Sequence, residues 1–287
     1  MANKVAIVTD TTACLAREQV QELGIEVVPV EFIFGDRSYR DGIDLTPGEF
    51  YTRLRQSKKP PTTSGSLPGP YLEAYRAAAQ RADSILCITL TAKLSGMFNS
   101  ARLAREMAKE ALPNVVIEVL DSGTAAAAQG LVVLAAAKAA AAGKSLVEVV
   151  DVAWSVMQRV YLFASLDTLQ YLVKGGRVPK VAALAGSLLR IKPIFTVNSG
   201  GAHPVTSART VNGAINSMLK IMKPKIVDGQ PLHVAVMHAD ALDNAEALRD
   251  KISSRFNCAE LFITEFTPVM GVHTGPGVLG VAFYNGG

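Results

Sequence analysis

Cysteine, charge and long apolar runs are all scarce in this chain, and each shortage removes a class of function. Only three cysteines occur in 287 residues, Cys14, Cys87 and Cys258, and they stand far apart. They read as buried thiols of a reducing compartment. No Cys-x-x-Cys or His-Glu-x-x-His spacing exists, so a metal site has no support. Charged residues are 19% of the chain, and 29 Lys and Arg against 25 Asp and Glu leave a net charge of +4. These charges are scattered, with no basic run or aromatic-interleaved arm, which argues against nucleic acid as a partner. The N-terminus passes almost directly into Val5-Ala6-Ile7-Val8. A basic segment and a long apolar core are missing there, so no signal peptide and a cytoplasmic location are expected. The longest small-apolar stretch, Thr124 to Ala142, is broken by Gln129, Gly130 and Lys138. It reads as a helix buried on a sheet, not a membrane span.

What is present is a hydrophobic set of 49%, ample for a core and incompatible with disorder. Short β-branched runs at Lys4 to Thr9, Ile25 to Phe34, Ser84 to Leu90 and Val115 to Leu120 alternate with helical periodicity, as a parallel α/β sheet requires. Thr46-Pro47-Gly48-Glu49 is a capping box with proline at the first helical position, so a helix runs to about Gln56. Further helices are expected from Pro70 to Arg81 and Ser95 to Ala111, and Gly143 ends the alanine-rich one before Ser145-Leu146-Val147-Glu148 opens the next. From Tyr161 the pattern changes to strands at Tyr161 to Leu166, Lys192 to Val197, Leu232 to His238, Ala259 to Phe266 and Val278 to Tyr284, with two longer helices between them. The expected fold class is α/β in two domains, a parallel-sheet domain over 1–158 and a mixed-sheet domain over 159–287.

Near the C-terminus, Gly271-Val272-His273-Thr274-Gly275-Pro276-Gly277 sets an imidazole and a hydroxyl among glycines. The strand-like runs Glu265 to Met270 and Val278 to Tyr284 on either side predict a loop at a sheet edge, where binding residues concentrate. His273 there either binds a ligand or caps a backbone group. Pro61-Thr62-Thr63-Ser64-Gly65-Ser66 is a run of hydroxyls before a helix, either capping it or offering donors to an anion. Leu94-Ser95-Gly96-Met97 follows a strand at the carboxyl edge of the sheet, where open α/β sheets take ligands, though capping alone would explain it. Lys174-Gly175-Gly176-Arg177 turns the backbone and presents a guanidinium suited to carboxylate or phosphate, or is a solvated turn. Arg209 is a weaker candidate of that kind. Ala142-Gly143-Lys144-Ser145 looks like the end of a P-loop, but Lys138 stands where its first glycine belongs and a helix precedes it, which rejects ATP binding by that route. Ser95 or Ser64 with His273 and Asp10 or Asp121 supplies the residue types of a hydrolase triad, without a Gly-x-Ser-x-Gly elbow.

Taken in order, these segments resemble the DegV family. Thr9-Asp10-Thr11 is similar to its T-D-S opening, Val28-Pro29-Val30 to V-P-L, and Tyr39-Arg40-Asp41 to Y-x-D. Pro61-Thr62-Thr63-Ser64 resembles P-T-T-S, Leu94 to Ala101 resembles L-S-G-T-Y-N-S-A, and Asp121-Ser122 a second D-S. Lys174-Gly175-Gly176-Arg177, Lys192-Pro193-Ile194 and His273-Thr274-Gly275-Pro276-Gly277 complete the series. The resemblance implies a two-domain protein that encloses one long-chain fatty acid between its domains, with no cofactor. Some relatives are the acyl-binding subunit of a bacterial fatty acid kinase and present the carboxylate to a separate ATP-binding subunit. Carried over, Thr63 and Ser95 would donate to the carboxylate, Ser64, Gly96 and Thr274 would line the site, and His273 would bond the head group. Arg177 would face the partner and Arg209 lie near the head group. A transient membrane contact would serve ligand exchange. A stand-alone acyl hydrolase or transferase using Ser95 and His273 is the alternative. Gly65-Ser66-Leu67 departs from the family's Q-P-S, and Thr11 from the serine of T-D-S.

Overall fold

The computed structural model describes residues 4–64, 67–177, 191–198 and 201–286. Four parallel strands, β1 (Val5–Asp10), β2 (Glu26–Val28), β6 (Ser84–Thr89) and β7 (Val116–Asp121), form the N-terminal sheet in the order β2-β1-β6-β7. Every residue of β6 is buried, as a central parallel strand covered on both faces demands. The helices Pro68–Ala79 and Met97–Ala111 pack against these strands, and so do Ala126–Ala141 and Leu146–Met157. The Pro47–Gln56 helix starts at the expected capping box, with Thr46 and Glu49 exchanging bonds.

The run Ile25 to Phe34 is two strands, not one. Pro29 has no N–H to give to a ladder, so β2 stops at Val28. The chain then enters β3 (Glu31–Phe34), which joins β4 (Arg37–Arg40) and β5 (Thr62–Thr63) in a separate antiparallel sheet.

The C-terminal sheet is mixed. Its strands are β8 (Tyr161–Ser165), β9 (Lys192–Asn198), β10 (Gly201–Ala208), β11 (Leu232–His238), β12 (Cys258–Glu265) and β13 (Leu279–Asn285). Their order is β10-β9-β8-β13-β11-β12, and only the β11–β12 pair is parallel. The polar, largely exposed β10 carries no apolar alternation, and Pro204 and a bulge mark it as a protected edge. The helices Val211–Met222 and Leu242–Ser253 pack on this sheet.

Between the two sheets lies the Ala126–Ala141 helix, which touches β1 and β6 on one side and β8, β11 and β13 on the other. An alanine-rich surface lets both sheets come close, and a helix apolar all round belongs inside a protein. At Gly130 a Cβ would stand 2.6 Å from the Ala13 carbonyl oxygen, so no side chain fits there. No helix among the described residues is long and apolar enough to cross a membrane. Cys14 and Cys87 are buried and burial pushes both thiols up to about 12, while Cys258 is only half-buried.

Candidate functional site

The segment expected as a glycine-rich loop is a helix, Pro268–Thr274, and the strand before it ends at Glu265. Thr267 is its N-cap residue and Pro268 takes the first helical position, where a missing N–H does no harm. The helix is pinned to the N-terminal half. The Tyr51 hydroxyl donates to the Phe266 carbonyl at 3.1 Å, and the Val269 N–H donates to Asp41 Oδ1 at 3.3 Å. At Gly271 a Cβ would lie 2.7 Å from the Phe50 ring and 2.8 Å from the Tyr51 ring, so glycine is what lets the helix seat.

His273 is carried on this helix. Its Nε2 is 3.3 Å from Thr63 Oγ1, and Thr63 is held in register with Phe32 by β5. Its Nδ1 is buried, has no partner among the described residues, and lies where a Cβ on Gly175 would come within 2.6 Å. Gly176, at φ +67, then ends the Gln170–Gly175 helix in the left-handed conformation, after which Arg177 donates to the Gly175 carbonyl at 2.6 Å. The Lys174-Gly175-Gly176-Arg177 motif thus does two things: it clears room for an imidazole and sets a guanidinium beside it. Burial, and secondarily the Arg177 charge, pushes the His273 pKa down to about 4. The ring is neutral near pH 7.

Ser95 and Gly96 stand at the start of the Met97–Ala111 helix. Gly96 is the N-cap residue, and no side chain caps the helix. The Ser95 hydroxyl is therefore not spent on capping. Among the described residues, the hydroxyls before the Pro68–Ala79 helix do not cap it either: its N-cap residue is Leu67 and Thr62 and Thr63 form β5, while Gly65 and Ser66 lie outside the described residues. The Ser64 hydroxyl donates to the Glu31 carbonyl at 3.2 Å and that of Thr274 to the Met270 carbonyl at 3.0 Å.

Thr63, Ser64, Ser95, Gly96, Arg177, His273 and Thr274 all line one cavity of about 200 Å³. Except for Thr12, the rest of its wall is apolar, with Leu90, Leu94, Leu162, Leu166, Phe195 and Val269 among the residues facing it. At 10–15 Å³ per water-sized group on this measure, the space takes on the order of 15 such groups, enough for a long alkyl chain. Arg209 is not among the residues facing the cavity. It is exposed, just past the end of the edge strand β10 and before the cap of the Val211–Met222 helix.

Asp10 lies in the Thr9-Asp10-Thr11 motif, but its partners Thr12 and Gln129 carry no motif of their own. Asp10 is fully buried, and its Oδ1 accepts from the Thr12 N–H and hydroxyl and from Gln129 Nε2, while Oδ2 accepts from the Leu90 N–H and the Tyr71 hydroxyl. Burial raises its pKa despite these bonds. The carboxyl ties the carboxyl end of β6, and with it the approach to Ser95, to the wall residue Thr12. Asp121 is engaged likewise, accepting from the Gly123 N–H at 2.9 Å and the Ala92 N–H at 3.1 Å. Neither acid orients His273, so among the described residues the acidic member of a hydrolase triad is absent. The P-loop look-alike is a turn between helices, with Gly143 at φ +79 and Ser145 capping through Glu148.

A family model described as an uncharacterised protein of the DegV family matches residues 4–286. A DegV domain-containing protein of Streptomyces coelicolor is 38% identical over 283 residues, covering 98% of each chain. Among solved structures, a DegV family protein of Thermus thermophilus, described as fatty acid binding, superposes with a TM-score of 0.90 at 29% identity, covering 98% of this chain and 99% of that one. A stearic acid-binding protein of Eubacterium ventriosum gives 0.89 at 26% identity and covers 98% of both chains.

Proposed function

The chain belongs to the DegV family, and from that premise we propose that it binds one long-chain fatty acid, tail in the apolar cavity and carboxylate among Thr63, Ser95 and His273. The observation that carries this reading is the cavity itself, an apolar pocket with hydroxyl and imidazole groups gathered at Thr63, Ser95 and His273. A carboxylate leaving water needs several donors, while each buried CH₂ of the tail contributes about 0.8 kcal/mol. Orientation thus comes from the head group and affinity from the tail. The site belongs to both halves of the chain, 1–158 and 159–287, with Thr63 and Ser95 from the first and His273 from the second.

The finer reading is that the protein presents the carboxylate to a separate ATP-dependent kinase subunit, which makes the acyl phosphate, and does no chemistry alone. Arg177 supports it: the residue lines the cavity yet is exposed, so its guanidinium is within reach of a partner or a transferred phosphate.

Native mass spectrometry of the purified protein tests the ligand, and incubation with ATP tests the role. A mass in the fatty acid range that organic extraction removes is expected, and acyl phosphate only after a kinase subunit is added. An apoprotein that refuses added long-chain acids would sink the first reading; turnover by the pure protein would sink the second.

A further inference from the structure

A seam beside the head-group site is closed by glycines. The segment from Asp167 through the Gln170–Gly175 helix lies against the end of the Pro268–Thr274 helix and the turn that follows it. They meet at three levels, and at each a glycine faces a side chain: Gly277 the Asp167 carboxylate, Gly275 the Tyr171 ring and Gly175 the His273 imidazole. Residue numbers rise along one segment as they fall along the other, so the two run antiparallel. A Cβ at any of the three glycines would collide, the one on Gly175 at 2.6 Å from His273 Nδ1. Gly275, at φ +74, and Gly277, at φ +84, also turn the chain, but Gly175 is an ordinary helical residue. Closeness alone calls for glycine there.

Tyr171 holds the middle level. Its ring carbons lie nearest Gly275, and it is not among the residues facing the cavity, although its neighbour Leu172 is. One helical turn separates Tyr171 from Gly175, so the depth to which the ring sinks onto Gly275 sets how near Gly175 comes to the imidazole. Arg177 follows, bonded to the Gly175 carbonyl at 2.6 Å. A flat ring on bare backbone leaves little slack in that spacing. Burial, and then the Arg177 charge, set the His273 pKa, so the imidazole reports on both neighbours.

We propose that Tyr171 is a positioning residue of the head-group site: seated on Gly275, it holds Gly175 and Arg177 against His273 and so aims the imidazole at Thr63 and the carboxylate. It acts through His273 and faces no ligand itself. The carboxylate half of this inference rests on the fatty acid reading above.

The full-length protein offers two readouts. NMR titration of the His273 ring, one of four histidines in the chain, needs no ligand. In Tyr171→Ala the seam loosens, water reaches Nδ1 and Arg177 withdraws, so the ring should titrate above the wild type's value of about 4, toward the ordinary 6.5. Affinity for a long-chain acid should fall roughly tenfold, as a misaimed hydrogen bond to a charged group predicts, and affinity for the alcohol of equal length should fall less. Tyr171→Phe keeps the ring and should keep both properties. Tyr171→Leu, apolar but without the flat ring, serves if the alanine variant does not fold. A His273 that titrates as in the wild type, an unchanged affinity for the acid, equal losses of acid and alcohol, or a phenylalanine variant that fails as alanine does overturns the proposal. A wild type that takes up no fatty acid would instead overturn the proposed function, and the ring titration would still decide whether Tyr171 sets the imidazole.

Discussion

His273 holds its proton less readily than a histidine in water, and the reason bears on what it can bind. A neutral imidazole offers one donor and one acceptor, so beside Thr63 it can direct a hydrogen bond to a carboxylate without bringing a charge of its own. Hydrogen bonds to a charged group are worth about 1.5 to 3 kcal/mol, so Ser95→Ala or His273→Ala should weaken fatty acid binding by roughly tenfold to a hundredfold. A fatty alcohol of equal length keeps the tail and lacks the anion, and should lose less in both variants. Equal losses for acid and alcohol in titrations of folded variants would assign these residues to the tunnel wall instead. Much of this site could be read from residue types: hydroxyls after prolines, a serine beside a glycine at a strand end, a histidine among glycines. Their convergence could not. Thr12 is silent in the sequence because a threonine two places after an aspartate says nothing until Gln129, 117 positions away, joins it on the same Asp10 carboxylate. Arg209 looked like Arg177 in sequence, and only the edge position of β10 separates the two.

At the scale of elements, glycine misled as much as it informed. Gly271 suggested a loop because glycine lowers helix stability, yet here it sits in a helix, pressed on Phe50 and Tyr51. In an exposed helix Gly→Ala gains about 1 kcal/mol. Both rings are 0% exposed and have nowhere to retreat, so Gly271→Ala should instead lower the melting temperature, with a loss of about 1 to 3 kcal/mol as overpacked cores show. A thermal melt with an unchanged or raised midpoint would refute this account of the seat. Where local chemistry decides an element, it was legible: the capping boxes at Thr46 and Ser145 start their helices where expected. Where tertiary pairing decides, it was not, as with the strands β4, β5 and β10, which exist because a neighbour accepts them.

In the whole molecule, polar contacts join the halves alongside the apolar core they share. Lys138 reaches Glu260 at 2.9 Å, Thr124 donates to the Val197 carbonyl at 3.3 Å, and Asp41 accepts from Val269. Of the two carboxylates in these contacts, Asp41 is the one whose pKa is raised. Burial raises its pKa from 3.8 to about 6, so the stability it contributes is fully present below 3.8 and is lost as pH rises through about 6. That linkage amounts to about 3 kcal/mol at most. Asp41→Asn keeps an acceptor for Val269 and removes the titration. Denaturant melts across pH 4 to 7 should therefore show the wild type losing ground to the variant as pH rises; parallel curves would mean that Asp41 does not report on this contact.

The alanine-rich helix has a further consequence. Chain order assigns it to the N-terminal half, yet it is also packed against the C-terminal sheet. A fragment cut after it would leave an apolar flank wide open to water, and such surfaces drive chains to associate. The two halves, divided near residue 158, thus share a single internal slab, so calorimetry should show them unfolding in one transition and a 1–158 fragment should aggregate; two separate transitions would refute this.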